Sequence, residues 1–205
     1  MMRLAVFASG GGSNAGAIFD AVEAGRLAAE PAVLVADRPC RALGRAESRG
    51  IPTAVVPPGD YADAGAFGEA LLAELGRAEA DAVALAGYLR KLPASVVWAF
   101  RHRILNVHPS LLPAFGGPGF YGARVHQAVL ARGCTLSGAT VHLVDAEYDA
   151  GPIVLQEAVE VFFDDSPETL AARVLAVEHE LLPRALQLLA ADKLRVVDGR
   201  VQILE

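Results

Sequence analysis

Three stretches of the 205-residue chain carry residue types that could do chemistry together. The first is Ser9-Gly10-Gly11-Gly12-Ser13-Asn14. Glycines let a backbone approach a ligand closely, and free N–H groups at a helix N-terminus favour an anion such as phosphate. The stretch is not a dinucleotide fingerprint: counted from Gly10 the third glycine of G-x-G-x-x-G is Ala15, and counted from Gly11 the pattern is G-x-x-x-x-G ending at Gly16. No Walker lysine follows. The residues point to a phosphomonoester site, with a tight turn capped by Ser13 or Asn14 as the alternative. The second stretch is Asn106-Val107-His108-Pro109-Ser110. Alternation along a strand puts Asn106 and His108 on one face. A carboxamide donor beside an imidazole could stabilise a developing oxyanion and move a proton. The third is Asp145-Ala146-Glu147-Tyr148-Asp149-Ala150-Gly151-Pro152, where a carboxylate could orient a histidine and favour its charged form, or where three acids merely solvate a turn.

Two further residues belong with these. His142 lies between Val141 and Leu143 and faces away from both, as a satisfied histidine on a sheet face or as support for a nearby site. Glu178 falls four residues after Val174 and four before Leu182. A carboxylate on an apolar helical row is costly to bury without a partner, so a ligand contact is expected there, with an internal ion pair or exposure at the helix edge as the alternatives. His102, between Arg101 and Arg103, is expected in solvent.

The elements that must hold these residues read as short apolar runs alternating with helical segments. Strands are expected at residues 4–8, 32–36, 53–56, 82–86 and 104–107, and helices at 15–24, 41–49 and 63–79, with a further helix begun by Pro93. Strands that are apolar throughout, separated by helices, imply a parallel sheet covered on both faces, a doubly wound α/β architecture. Such sheets bind ligands outside the carboxyl ends of their strands, which is where Ser9, Gly87 and His108 fall. The second half differs. Residues 110–122 read as a Pro- and Gly-rich loop, 125–131 as a short helix, and 140–144 and 153–161 as strands pairing antiparallel across the acidic loop. Ser166 should cap a long helix that opens on Pro167 and kinks at Pro183, and residues 194–203 form a hairpin turning at Asp198-Gly199. The expectation is one domain over residues 1–205, with a phosphate-binding α/β half (1–108) and a half of loops, long helix and hairpin (109–205).

Composition narrows the class. With 53% apolar and 20% charged residues the chain is not disordered. Its 24 acidic residues outnumber 18 unclustered basic ones, net charge −6, which argues against a nucleic-acid partner. No apolar run is long enough to span a membrane or to make a signal peptide, so a cytoplasmic protein is expected. Cys40 and Cys134 read as small buried apolar residues.

In this order the motifs resemble phosphoribosylglycinamide formyltransferases, the folate-dependent enzymes of purine synthesis. The resemblance covers residues 3–191. It rests on the Ser9 to Asn14 loop, Leu85-Ala86-Gly87-Tyr88-Leu89-Arg90, Asn106-Val107-His108-Pro109-Ser110-Leu111-Leu112-Pro113, Thr140-Val141-His142-Leu143-Val144, and Asp149-Ala150-Gly151-Pro152-Ile153 followed by Gln156. It implies that the amine of glycinamide ribonucleotide attacks the formyl carbon of 10-formyltetrahydrofolate, a cosubstrate, with no metal or nicotinamide. By resemblance Asn106 donates to the oxyanion, His108 stabilises it and takes part in proton transfer, and Asp149 orients His108 and relays protons, with His142 in support. Gly12, Ser13, Asn14 and Glu178 hold the nucleotide. Leu89, Arg90, Lys91, Leu92 and Asn106, with Asp145, Ala146, Glu147, Tyr148 and Asp149, line the folate pocket. The implied partners are these two small molecules alone, with the chain a monomer or homodimer.

Three positions depart from the family pattern. Position 64 is Ala where an Arg near the folate's far end is common, Ala114 replaces a frequent Lys, and residues 116–122 hold a longer Gly-rich insert, expected to be a mobile flap. Formyltetrahydrofolate hydrolase uses a similar Asn/His/Asp set, but a first strand at Leu4 leaves no room for its preceding regulatory domain. Methionyl-tRNA formyltransferase calls for a longer chain. A non-catalytic nucleotide-binding module is the reading from a different class, and it predicts that losing His108 changes nothing.

Overall fold

The computed structural model describes residues 1–205. The first half lays down β1 (Met2–Ala8), α1 (Ser13–Glu23), β2 (Ala29–Ala36), α2 (Arg41–Glu47), β3 (Thr53–Val55), a 3-10 turn (Pro58–Asp60), α3 (Ala64–Arg77), β4 (Ala82–Leu85), α4 (Ala94–Ala99) and β5 (Ile104–His108). The second adds α5 (Ala123–Ala131), β6 (Leu136–Leu143), β7 (Ile153–Glu160), α6 (Pro167–Ala190) and the hairpin β8 (Leu194–Val197) and β9 (Arg200–Ile203). Seven strands form one sheet in the order β3-β2-β1-β4-β5-β6-β7. The first five run parallel; β6 and β7 are antiparallel to their neighbours.

The two-residue period of a strand divides the core between two faces. Leu4, Val6 and Ala8 of β1 pack with α1 and α6 side chains such as Ile18 and Leu182, while Ala5 and Phe7 pack with Phe67, Leu71 and Leu75 of α3 and Val96 of α4. Both faces are covered, which is why the strands read as unbroken apolar runs. The larger core cluster runs from Met2 to Leu186 and so joins the two halves of the chain.

Most element ends shift by one or two residues from the sequence reading, and three starts have a visible cause. β2 begins at Ala29 because the sheet tolerates Pro31: the register steps from Leu4↔Pro31 to Ala5↔Val33, so Ala32 bulges out beside the residue that cannot donate. β6 begins at Leu136, upstream of the Ser137-Gly138 pair that interrupts its apolar pattern. Pro93 is the cap of α4, not its first residue. α6 runs as one helix of 24 residues through Pro183. Asp198 and Gly199 both take positive φ, as the hairpin turn requires. Cys40 and Cys134 are free, half-buried and packed against the core rather than within it.

α6 carries buried Glu178, so its start matters to the site. Ser166 Oγ accepts from Thr169 N at 3.2 Å, and Thr169 Oγ1 accepts from Ser166 N at 2.9 Å, a reciprocal capping box. Ser166→Ala is expected to cost about 1 kcal/mol. Thermal denaturation should show Tm lower by roughly 2–4 °C at this size.

Candidate active site

The strand order reverses between β1 and β4, and a doubly wound sheet opens a crevice at the carboxyl ends of such a pair. Ser9 N–H donates to Gly87 O at 3.1 Å and closes the two strand ends together. A cavity of about 550 Å³ lies there, reaching from Asn14 and Glu178 past the end of β5 to the loops at Leu89–Leu92 and Asp145–Asp149.

At its centre the antiparallel pairing of β5 and β6 sets Asn106 opposite His142 and His108 opposite Thr140. His142 Nδ1 lies 2.9 Å from Leu143 O. A carbonyl only accepts, so Nδ1 carries a hydrogen, and Nε2 accepts from Asn106 Nδ2, 3.0 Å away. One amide hydrogen of Asn106 is thereby used to aim the group, and the other is left for the cavity. His108 is 4% exposed, and its Nε2 donates to Phe115 O at 2.8 Å. Its Nδ1 therefore carries the lone pair and faces Asp149 Oδ2 at 3.6 Å. His142 Nε2 is also 3.6 Å from Asp149 Oδ1. Both separations exceed a hydrogen bond.

Charges follow from these contacts. Burial pushes His108 below the usual 6.5, outweighing the pull of the Asp149 carboxylate and the Phe115 carbonyl, so the ring is neutral at pH 7. Burial pushes Asp149 up, but the neighbouring His142 and His108 rings, through the charge each carries once protonated, and the Gly117 N–H, 2.9 Å from Oδ2, more than offset it; the carboxyl is held below its ordinary range. Asp149 sits at φ 51, a left-handed conformation that an Asp tolerates better than most residues.

At one end of the cavity Gly12 takes φ 70 as the cap of α1, and a Cβ there would lie 2.6 Å from Ala42 Cβ, so only glycine fits. No side chain caps α1. This removes the alternative of a turn capped by Ser13 or Asn14. Arg45 Nε donates to Gly11 O at 2.9 Å, which brings a guanidinium against the loop. Asn14 Nδ2 donates instead to Glu178 Oε2 at 2.6 Å, leaving Asn14 Oδ1 buried without a partner. Burial raises the Glu178 carboxyl above its usual value despite that bond.

Of the residues expected from sequence, Asn14, Asn106, His108, His142, Asp149 and Glu178 meet in one cavity. Leu89, Arg90, Lys91 and Leu92 line its other end with Asp145, Glu147 and Tyr148. Lys91 Nζ lies 5.3 Å from the Tyr148 ring centroid and joins these two loops. Gly12, Ser13 and Ala146 lie outside the lining, as does Ala64, exposed at the start of α3. His102 is exposed.

The sequence reading missed Asp37, at the carboxyl end of β2. Its side chain is fully buried and accepts from Arg90 Nε at 2.8 Å and Arg38 Nη2 at 3.0 Å. It also bonds Ser9, whose Oγ accepts the Leu89 N–H at 2.9 Å. One carboxylate thus ties the glycine loop to the Leu89–Leu92 loop. Burial pushes it up, yet its three hydrogen-bond partners hold it charged below the usual range. Its strand-end position was the available signal. Backbone groups of residues 115–117 were also missed; side-chain types do not report them. Thr140 Oγ1 donates to Ser110 O at 2.6 Å and accepts from Leu112 N at 3.0 Å, which fixes the chain just after His108.

No group of three or more His, Cys, Asp or Glu side chains is arranged to hold a metal ion, and no helix is long and apolar enough to cross a membrane. The pattern that defines the family described as Formyl transferase matches residues 2–186. The chain belongs to the formyl transferase family. This formyl transferase is 43% identical over 193 residues to the chloroplastic phosphoribosylglycinamide formyltransferase of Vigna unguiculata, covering 94% of its own length and 62% of that protein's. It is 39% identical to phosphoribosylglycinamide formyltransferase of Bacillus subtilis, covering 91% of itself and 94% of the relative. The crystal structure of glycinamide ribonucleotide transformylase 1 from Symbiobacterium toebii superposes with TM-score 0.95 at 40% identity, over 100% of this formyl transferase and 95% of that chain.

Two substitutions check these electrostatics. Asp37→Asn leaves Arg38 and Arg90 without their counter-charge and should cost about 2 kcal/mol, a buried-pair loss discounted because both guanidinium groups are half exposed. Urea denaturation should show the loss. Glu178 is raised in the folded state, so its contribution is favourable below the unfolded value of 4.5 and is lost as pH rises through the folded value. Glu178→Gln should therefore raise Tm at pH 7 and flatten the decline of Tm between acid and neutral pH.

Proposed function

We propose that the chain transfers the formyl group of 10-formyltetrahydrofolate to the amine of glycinamide ribonucleotide, a step of de novo purine synthesis, with residues 1–205 acting as one formyltransferase domain. The observation that carries the reading is the set of polar contacts at the end of β5, from which the proton positions follow. Asn106 has a free amide hydrogen, neutral His108 has an open Nδ1, and Asp149 lies beside that nitrogen, between an anion-binding loop and a pocket walled by two loops.

The nucleotide phosphate sits on the uncapped first turn of α1 at Gly12, Ser13 and Asn14, where backbone N–H groups and the helix dipole favour an anion. Glu178 and the unpartnered Asn14 Oδ1 meet the nucleotide's hydroxyl and amine hydrogens. The pterin enters between Leu89–Leu92 and Asp145–Asp149. The amine nitrogen attacks the formyl carbon, a C–N bond forms, and the carbonyl pair moves onto oxygen. Asn106 donates to that oxyanion. The attacking nitrogen loses its proton to His108 Nδ1, and the imidazolium is stabilised by Asp149. The same proton passes to the folate nitrogen as its bond to the carbon breaks, so tetrahydrofolate and the formylated nucleotide leave with no net proton change. The chain needs neither nucleic acid nor membrane for this and works as a monomer or homodimer in the cytoplasm.

Hydrolysis of the same folate is the second reading, because a water held near His108 Nδ1 could replace the amine. A transfer assay with 10-formyltetrahydrofolate, with and without glycinamide ribonucleotide, separates them by the mass of the products. Formylated nucleotide supports the proposal; formate without it overturns it. Asn106→Ala should lower kcat some hundredfold to thousandfold, the usual loss for one oxyanion donor, about 3 kcal/mol or more. His108→Ala should abolish turnover while nucleotide affinity stays within a few fold. Neutral His108 is required, so kcat should fall on the acid side only below pH 6.5, as the burial-lowered ring takes up its proton.

A further inference from the structure

Residues 115–122 are tied to the reacting pair at their start, and by main-chain groups. We propose that the backbone of residues 115–117 belongs to the proton-transfer machinery: the Phe115 carbonyl fixes the tautomer of His108, the Gly117 N–H holds Asp149, and Gly116 is the positioning residue that lets both reach. The inference rests on the reading of His108 and Asp149 as the proton-transfer pair.

A neutral imidazole beside a carboxylate would ordinarily place its hydrogen on the nitrogen facing the charge, here Nδ1 towards Asp149. That tautomer arrives with the catalytic nitrogen already protonated and cannot take the amine's proton there. Phe115 O, 2.8 Å from Nε2, is a competing acceptor, shorter than the 3.6 Å gap to Asp149, and it draws the hydrogen to the other side of the ring. The Gly117 N–H, 2.9 Å from Asp149 Oδ2, satisfies the carboxylate oxygen that would otherwise seek the Nδ1 hydrogen. The two contacts act in the same direction.

The local backbone is built for these contacts at a cost. Phe115 takes φ 55 and Asp149 φ 51, left-handed conformations that side-chain-bearing residues avoid, and in a bulky Phe such a conformation needs tertiary support. That support includes Phe120, whose ring stands edge-on to Phe115 with centroids 6.2 Å apart. Between the two bonding groups, a Cβ on Gly116 would lie 2.5 Å from Leu112 Cδ2 and 3.3 Å from Asp149 Cβ. A side chain at 116 therefore requires the buried Leu112, Asp149 or the backbone of 115–117 to shift. The Gly-rich insert is thus seated on the site at its first three residues, with glycine required by close approach rather than by mobility.

The charged and titratable groups that bear on His108 are Asp149 after β6, His142 on β6 and His126 on α5, while α6 presents Glu178 to the same cavity. None of these supplies an acceptor at Nε2. The Phe115 carbonyl also favours the protonated ring, so withdrawing it makes His108 harder to protonate.

The test uses the whole chain with 15N-labelled imidazole rings and the variant Gly116→Ala. In the unaltered protein above pH 7, 15N chemical shifts should report His108 protonated at Nε2 and bare at Nδ1. In Gly116→Ala the signal should move towards the Nδ1–H tautomer, kcat should fall about tenfold to a hundredfold with the nucleotide KM within about threefold, and the acid limb of the kcat–pH profile should move to lower pH. An Nδ1–H ring in the unaltered protein overturns the proposal, and needs no variant to fold. So does Gly116→Ala with an unchanged kcat and pH profile. An unaltered protein with the Nε2–H ring but no formyl transfer overturns the proposed activity and leaves this assignment of the backbone standing.

Discussion

The ladder between β5 and β6 is the constraint on which the site depends. Its register sets Asn106 against His142 and His108 against Thr140, and the period of two puts all the polar members on one face. A slip of one residue would turn Asn106 and His108 into the apolar layer that Leu105 and Val107 fill, and bring those two to the cavity. The antiparallel pairing has a further consequence: β6 ends beside the start of β5, where Val144 N–H donates to Ile104 O at 2.9 Å, and the loop that follows folds back to set Asp149 against His108 and His142. The side chains that need to meet come from residues 36 to 41 apart in sequence, and the hydrogen bonds of one strand pair bring them together.

Three carboxylates are removed from water around this ladder, each handled differently. Asp37 is surrounded by two guanidinium groups and a hydroxyl and stays charged. Asp149 is held charged by a main-chain N–H and by two imidazoles that gain charge beside it when protonated. Glu178 has only the Asn14 amide, and burial dominates. The two well-paired acids organise their surroundings. The poorly paired one is the acid with interaction capacity left for a ligand, as expected where stability is exchanged for binding.

A parallel sheet buried on both faces leaves a strong mark in sequence, because most residues of a central strand are apolar on both faces. That is why β1, β4 and β5 were legible to within a residue or two, and why β2 was shortened: Pro31 reads as a strand breaker unless the bulge at Ala32 is known. Asn106, His108 and Asp149 were legible because polar residues at the ends of apolar runs stand out, and the family resemblance sharpened their roles. Asp37 occupies the same kind of position and was passed over, since an Asp-Arg pair after a strand looks like a solvated turn until Ser9 and Arg90 arrive from elsewhere in the chain.

The sequence by itself determined the doubly wound class, the order of its elements, the cap of its long helix, and which side chains could stabilise an oxyanion and move a proton. These depend on local periodicity and on residue chemistry, which are written along the chain. Only the tertiary structure decided which nitrogen of each histidine holds the hydrogen, which acids stay charged, and that the glycine-rich insert begins as a main-chain support for His108 and Asp149. Those properties are set by acceptors and by burial, and the acceptors are carbonyls that every residue possesses; only the fold places one of them against a particular ring.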